Sequence, residues 1–138
     1  MPETREDTGI SKQQWEELAS AAWECRENAY IQGDTRVGAA LLTGSGKIFT
    51  GCNLEHIFRC HDVHAEVNAI TTMVAAGETE LKAIIIVAEC GLFTPCGGCL
   101  DWIFQLGGPD CLVACQARPG GEIRVFTAGE LMPQYPRY

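Results

Sequence analysis

In Lys82-Ala83-Ile84-Ile85-Ile86-Val87-Ala88 every residue after the lysine is apolar and most are β-branched, the composition of a strand covered on both faces. Such a strand needs helices above and below it. Upstream, His64, Val67, Ala69, Ile70, Met73 and Val74 recur at helical spacing over residues 64–76, and Gly77 supplies a stop. Downstream, Cys96 and Cys99 open a second helical stretch, Cys99 to Leu106, which Gly107-Gly108-Pro109 ends. Further out, Val37-Gly38-Ala39-Ala40-Leu41-Leu42 and Lys47-Ile48-Phe49-Thr50-Gly51-Cys52 flank Gly44-Ser45-Gly46, which reads as two strands joined by a tight turn. Ser11 can cap a first helix with Trp15, Leu18, Ala19, Ala22 and Trp23 on one stripe, stopping by Gly33. Two short strands are expected around 111–115 and 122–126, followed by a short helix at Ala128 to Leu131. The order α-β-β-α-β-α-β-β predicts an α/β fold: a three-layer α/β/α sandwich around a mixed five-stranded sheet.

At 138 residues the chain is expected to form a single domain, 1–138, with residues 1–10 flexible. No apolar run approaches the roughly 18 residues that span a bilayer, and the polar start, Met1 to Ile10, has neither the positive charge nor the apolar stretch of a secretory signal. A cytoplasmic location, with no membrane partner, is the resulting expectation. The net charge of −8 and the scattered basic residues argue against a surface for polymeric nucleic acid, which needs clustered Lys and Arg. A small, uncharged or cationic substrate fits better. Of the eight cysteines, two are read as thiolates on a metal and the other six as mostly buried, reduced small hydrophobes.

His64-Ala65-Glu66 and Pro95-Cys96-Gly97-Gly98-Cys99 carry the chemistry. Zinc favours tetrahedral nitrogen and sulfur ligands, and a catalytic site takes three from the protein and keeps the fourth position for solvent. His64, Cys96 and Cys99 supply that number. Cys-x-x-Cys at a helix start puts two sulfurs on one turn, where unpaired backbone N–H groups favour the thiolate. One Zn²⁺ with two thiolates and a neutral imidazole sums to zero charge. Glu66, two residues past the histidine, is too close in the same turn for a comfortable fourth ligand and is assigned as the catalytic proton shuttle. Thr94 and the backbone around Cys96 could position an exocyclic amino group. Cys-x-x-Cys alone could be a structural zinc half-site or a redox pair, readings that the additional His-x-Glu at a helix start disfavours, and His56 and His61 are read as loop residues that hydrogen-bond near the site rather than as ligands.

At these residues the sequence resembles the cytidine deaminase family, from roughly Tyr30 to Pro133. The segments Val37 to Leu42, Gly51-Cys52-Asn53-Leu54-Glu55, His64-Ala65-Glu66, Thr94-Pro95-Cys96-Gly97-Gly98-Cys99 and Glu130-Leu131-Met132-Pro133 occur in the family's order and near its spacing. The resemblance implies a cytidine deaminase-like fold, one zinc ion per subunit, and hydrolytic deamination of cytidine, deoxycytidine or a related aminopyrimidine nucleoside. It implies that Asn53 and Glu55 bind the ribose hydroxyls, that Ala65, Thr94 and Pro95 line the substrate site, and that the protein is a homotetramer whose sites are completed across subunits. Small members of the family commonly have Cys in place of His64 and Arg in place of Leu100; the two changes agree, because one imidazole and two thiolates need no compensating cation. The family's aromatic and proline-rich approach to the Val-Gly-Ala-Ala strand is replaced by Gln32-Gly33-Asp34-Thr35-Arg36, which makes Arg36 a candidate contact to an altered substrate. Tyr135, in the loosely matching tail, is the candidate for the aromatic residue that enters a neighbouring site.

These departures leave a second reading open, a blasticidin S-type deaminase acting on a cytosine nucleoside antibiotic. A third, from another class, is a non-catalytic zinc-stabilised binding module. Glu66 opposes it, since a structural metal site has no use for an unbound carboxylate. Action on single-stranded nucleic acid is encouraged by the His-x-Glu form and opposed by the acidic charge.

Overall fold

The computed structural model describes residues 9–135. Helix α1, Lys12–Arg26, starts where Ser11 and Gln14 form a reciprocal cap: Gln14 N–H donates to Ser11 Oγ at 3.1 Å and Ser11 N–H to Gln14 Oε1 at 2.8 Å. Its buried residues, Trp15, Leu18, Ala19 and Ala22, are the stripe read from the sequence. Strands β1, Gly38–Thr43, and β2, Ile48–Cys52, form the expected hairpin, closed by Thr43 N–H to Lys47 O at 2.9 Å and turned at Gly46, whose φ of +89° suits glycine. After a 3-10 turn at Arg59–His61 come α2, Ala65–Ala75; β3, Leu81–Val87; and α3, Gly97–Gly107. Strands β4, Leu112–Gln116, and β5, Ile123–Thr127, lead into a last turn of helix, α4, Ala128–Leu131.

The five strands are ordered β2-β1-β3-β4-β5, antiparallel throughout except for the parallel central pair β3 and β4. The sheet is therefore mixed. Alternate residues face opposite ways, and the two faces build two cores. Ala39, Leu41, Ile84, Ile86 and Val113 pack under Ala65, Ala69, Ile70 and Met73 of α2 and Leu100, Ile103 and Phe104 of α3. Ala40, Leu42, Ala83, Ile85, Val87, Ala114 and Val125 pack under α1. This is the three-layer α/β/α arrangement, with β3 covered on both sides. Of the segment expected to be flexible, residues 1–8 lie outside the described residues, and Ile10 is buried in the α1 core at 5% exposure.

Two glycines set how close the helices come. A Cβ on Gly38 would run into the Ala22 carbonyl of α1, and one on Gly51 into the Ala69 nitrogen and Ala65 carbonyl of α2. The second approach fixes the start of α2 against the end of β2. No described helix is long and apolar enough to cross a membrane.

Candidate active site

Two helix starts meet beside the end of β2. His64 is the N-cap of α2, with extended backbone (φ −75°, ψ 154°), and Cys96 is the N-cap of α3 (φ −70°, ψ 171°); neither side chain makes a capping hydrogen bond. The chain enters α2 from Val63, which exchanges backbone hydrogen bonds with Leu54 at 2.8 and 2.9 Å. Asn68 Oδ1 accepts from Cys52 N–H at 3.0 Å and ties the first turns of the helix to β2. These contacts leave the ring of His64 facing the Cys-x-x-Cys turn.

His64 Nδ1 lies 3.3 Å from Cys99 Sγ and 3.4 Å from Cys96 Sγ, and the three atoms all fall within 4.8 Å of one another. A single ring proton cannot serve both sulfurs. Tetrahedral zinc with ordinary Zn–N and Zn–S bonds has N···S edges of about 3.5 Å, so the three donors have the spacing of a zinc site. Their charge points the same way. Burial, the neighbouring Glu66 carboxylate and Cys96 push the Cys99 thiol far above its usual range, and a bound divalent cation is what reverses that order and holds a thiolate. Leu100, which follows, is a core residue at 5% exposure and brings no charge.

Glu66, the second residue of α2, is 3% exposed. Burial raises its carboxyl above the usual range, opposed by its own backbone N–H, by a hydrogen bond with Cys99 and by His64. A carboxyl raised in this way exchanges a proton more readily near neutral pH. It lies on the wall of a cavity of about 210 Å³ lined by fourteen residues, His64, Ala65, Cys96 and Thr94 among them. Val37, Leu54, Val63 and Phe93 make the apolar part of that wall.

The lining also carries Asn53 and Glu55. Asn53 Oδ1 accepts from Val37 N–H at 2.9 Å and its Nδ2 donates to Thr35 O at 2.9 Å. Glu55 Oε1 accepts from Gln32 N–H at 2.8 Å and Gly33 N–H at 2.9 Å, while Oε2 meets Arg59 Nη2 at 2.9 Å. Both residues thus hold the 30–37 segment in place while facing the cavity. The backbone N–H groups of Gly33 and Gln32 hold the Glu55 carboxyl below the usual range, with help from Arg59.

Other residues expected at the site lie elsewhere within one chain. Arg36 Nη1 donates to the Ala29 carbonyl at 2.7 Å and does not line the cavity; its guanidinium is spent on the backbone turn after α1. Tyr135 stacks on Phe104 with ring centroids 4.2 Å apart, its hydroxyl on Asp101, at a separate surface depression beside α4. Pro95 is buried and directs the chain into the Cys96 cap without lining the cavity. His56 and His61 pack edge to face in the loop, as expected of loop residues. The cysteine reading needs correcting: among those outside the metal triad only Cys111 and Cys115 are buried, Cys60 and Cys90 being exposed and Cys25 and Cys52 partly so. Cys60 sits in the 3-10 turn, which buries no residue, and Cys90 in an irregular stretch after β3, so neither reaches a core.

The sequence reading missed Thr35, Val37, Leu54, Arg59, Asp62, Val63 and Phe93 as site residues, all of which line the cavity. For Arg59 and Asp62 a signal was present in the spacing Glu55, Arg59, Asp62, four and three residues apart. Phe93 sits in an irregular stretch with no periodicity to read.

Comparison with known proteins agrees with this geometry. Residues 12–115 match the model of the family described as the cytidine and deoxycytidylate deaminase zinc-binding region. A probable cytidine deaminase of Dictyostelium discoideum is 33% identical over 127 residues, 90% of this chain and 84% of that protein. A blasticidin-S deaminase of Bacillus cereus is 29% identical over 126 residues, covering 85% and 88%. Among solved structures, the cytidine deaminase from Burkholderia pseudomallei superimposes with a TM-score of 0.78 at 37% identity, over 86% of this chain and 95% of that one. A zinc-dependent hydrolase built on a mixed α/β/α sheet is the class that fold, donor set and matches define. The chain belongs to the cytidine and deoxycytidylate deaminase zinc-binding family.

Proposed function

We propose that this protein removes the amino group of cytidine or deoxycytidine, giving the uracil nucleoside and ammonia, with His64, Cys96 and Cys99 as zinc ligands and Glu66 as the catalytic acid and base. The observation that carries the proposal is the buried Glu66 carboxyl beside the three-donor cluster, on the wall of a cavity large enough for a small ring. Zinc, when bound, supplies a Lewis acid that makes a water molecule acidic near neutral pH. Glu66 takes the proton of the attacking water, passes it to the ring nitrogen, and delivers a second proton to the departing amine as the carbonyl forms. Its burial suits this traffic, because a carboxyl whose charged and neutral forms are close in energy both gives and accepts. Ala65 and Thr94 flank the base, while Asn53 and Glu55 offer the sugar the hydrogen-bonding capacity they have left.

Glu66→Gln tests the assignment. Turnover of cytidine should fall by roughly 10²–10⁴-fold, with zinc still bound at one ion per chain by elemental analysis. Retained turnover would remove Glu66 from the mechanism, and lost zinc would make it a ligand.

A cytosine nucleoside antibiotic of the blasticidin S type is the second reading, favoured by the heavy commitment of Asn53 and Glu55 to the backbone, which leaves the sugar end less able to grip a simple diol. Ammonia release from cytidine and blasticidin S, assayed side by side, separates the two. A non-catalytic binding module would leave the buried Glu66 without a purpose.

Residues 1–138 are read as a single domain, since both cores share one sheet. A homotetramer is supported by exposed apolar side chains at Tyr30, Ile57, Phe58 and Trp102; in such an assembly Tyr135 would serve a neighbouring copy. A cytoplasmic location suits a site whose two thiolate ligands must stay reduced.

A further inference from the structure

Among the described residues Arg59 is the one Lys or Arg lining the cavity, and it is already engaged. Its Nη2 meets Glu55 Oε2 at 2.9 Å and its Nε meets Asp62 Oδ2 at 2.9 Å, so two carboxylates face one guanidinium. Asp62 is itself fixed, its Oδ1 accepting from His56 N–H at 2.8 Å. The Arg59 side chain is still 55% exposed, and Nη1 makes no hydrogen bond among the described residues. With Glu66 in the same wall, the lining carries three carboxylates against one guanidinium.

We infer that Arg59, held between Glu55 and Asp62, is the specificity-determining residue of the sugar end: it donates Nη1 to an uncharged sugar oxygen and, because its charge is compensated, turns away substrates whose sugar bears a phosphate. This rests on the nucleoside reading above. The physical reason is competition. A phosphate carries about −1.5 to −2 charges at neutral pH, and at Nη1 it would meet a guanidinium whose charge Glu55 and Asp62 already compensate, in a lining that carries three carboxylates. A sugar hydroxyl pays no such penalty, since it accepts one N–H without altering the ion pairs. Asp62 acts through Arg59 and is a positioning residue.

The test is equilibrium binding of uridine and uridine 5′-monophosphate to the zinc-loaded protein, with kcat and KM for cytidine and cytidine 5′-monophosphate measured alongside. The unsubstituted protein should prefer the nucleoside at least tenfold. Asp62→Asn keeps an acceptor for His56 N–H but frees half of the Arg59 charge, and should narrow that preference at least tenfold. Arg59→Gln should raise KM for cytidine with kcat little changed, and the double variant should lose the gain in monophosphate binding seen with Asp62→Asn alone. Equal binding of the two ligands by the unsubstituted protein, an unchanged ratio in Asp62→Asn, or the same gain in the double variant would each overturn the role of Arg59 while leaving cytidine turnover intact. Failure of the unsubstituted protein to bind uridine or turn over cytidine would overturn the nucleoside reading itself, and this inference with it.

Discussion

A single carboxylate does two jobs at the edge of the cavity. Glu55 anchors Gln32 and Gly33 through Oε1, and the same group faces whatever enters. Its native carboxyl is held below the ordinary glutamate value of roughly 4.3 by those backbone donors. A depressed native value means that the stabilising contribution is fully present above the unfolded-state value and is lost as pH falls through the native one. The difference in urea midpoint between the unsubstituted protein and Glu55→Gln should therefore be constant from pH 6 to 8 and shrink below about pH 4. A gap that widened with acid would contradict the assignment. For the metal donors, His64→Ala or Cys99→Ser should drop bound zinc well below one ion per chain in a chelator competition, because the remaining pair cannot fix a tetrahedral ion alone.

Local rules account for most elements. Ser11 is followed three residues on by Gln14, and the pair forms the reciprocal cap of α1; Ser11→Ala should cost about 1 kcal/mol of stability in a denaturant titration, with no change in KM. The alternation of Ala39, Ala40, Leu41 and Leu42 and the run Ile84 to Val87 fall on strands because both faces of the sheet are covered. In the metal cluster only the pairing of Cys96 and Cys99 on one helix start was local; that His64 of α2 joins them was legible through the resemblance of the two motifs to those of the family, since the meeting of the two helices is a long-range contact. Sheet order was not legible. Placing β1 beside β3 and β3 parallel to β4 depends on contacts between distant residues, and no local pattern encodes them. The Arg36 assignment failed to reach the cavity on similar grounds: a nearby free carbonyl, that of Ala29, took its guanidinium. At Gly51 the α2 backbone presses on β2, so Gly51→Ala must shift the helix that carries His64 and Glu66. It should reduce kcat and zinc affinity together, whereas Gly46→Ala, in a turn with open space around it, should cost stability through its positive φ and leave kcat unchanged.

For the molecule as a whole, the two cores meet in one sheet, and β3 contributes to both: Ile84 and Ile86 on one side, Ile85 and Val87 on the other. Truncating Ile85 to Ala should destabilise by roughly 2–5 kcal/mol, read as a lower urea midpoint, although Ile85 faces away from the cavity. The metal couples to the same equilibrium. Whatever binds the native state alone stabilises it by mass action, so a chelator should lower the melting temperature and added zinc should restore it.

His64 and Cys96 stand where a serine or aspartate ordinarily seals the first turn of a helix, and neither closes its own helix with its side chain. A metal ion held between them is then a shared clasp for α2 and α3, doing mechanically what two separate hydroxyls would otherwise do. Strip the ion and both first turns should fray together while Ser11 keeps α1 shut, a difference that amide hydrogen exchange would display as paired loss of protection at residues 68–70 and 100–102, the first amides that bond back into each helix.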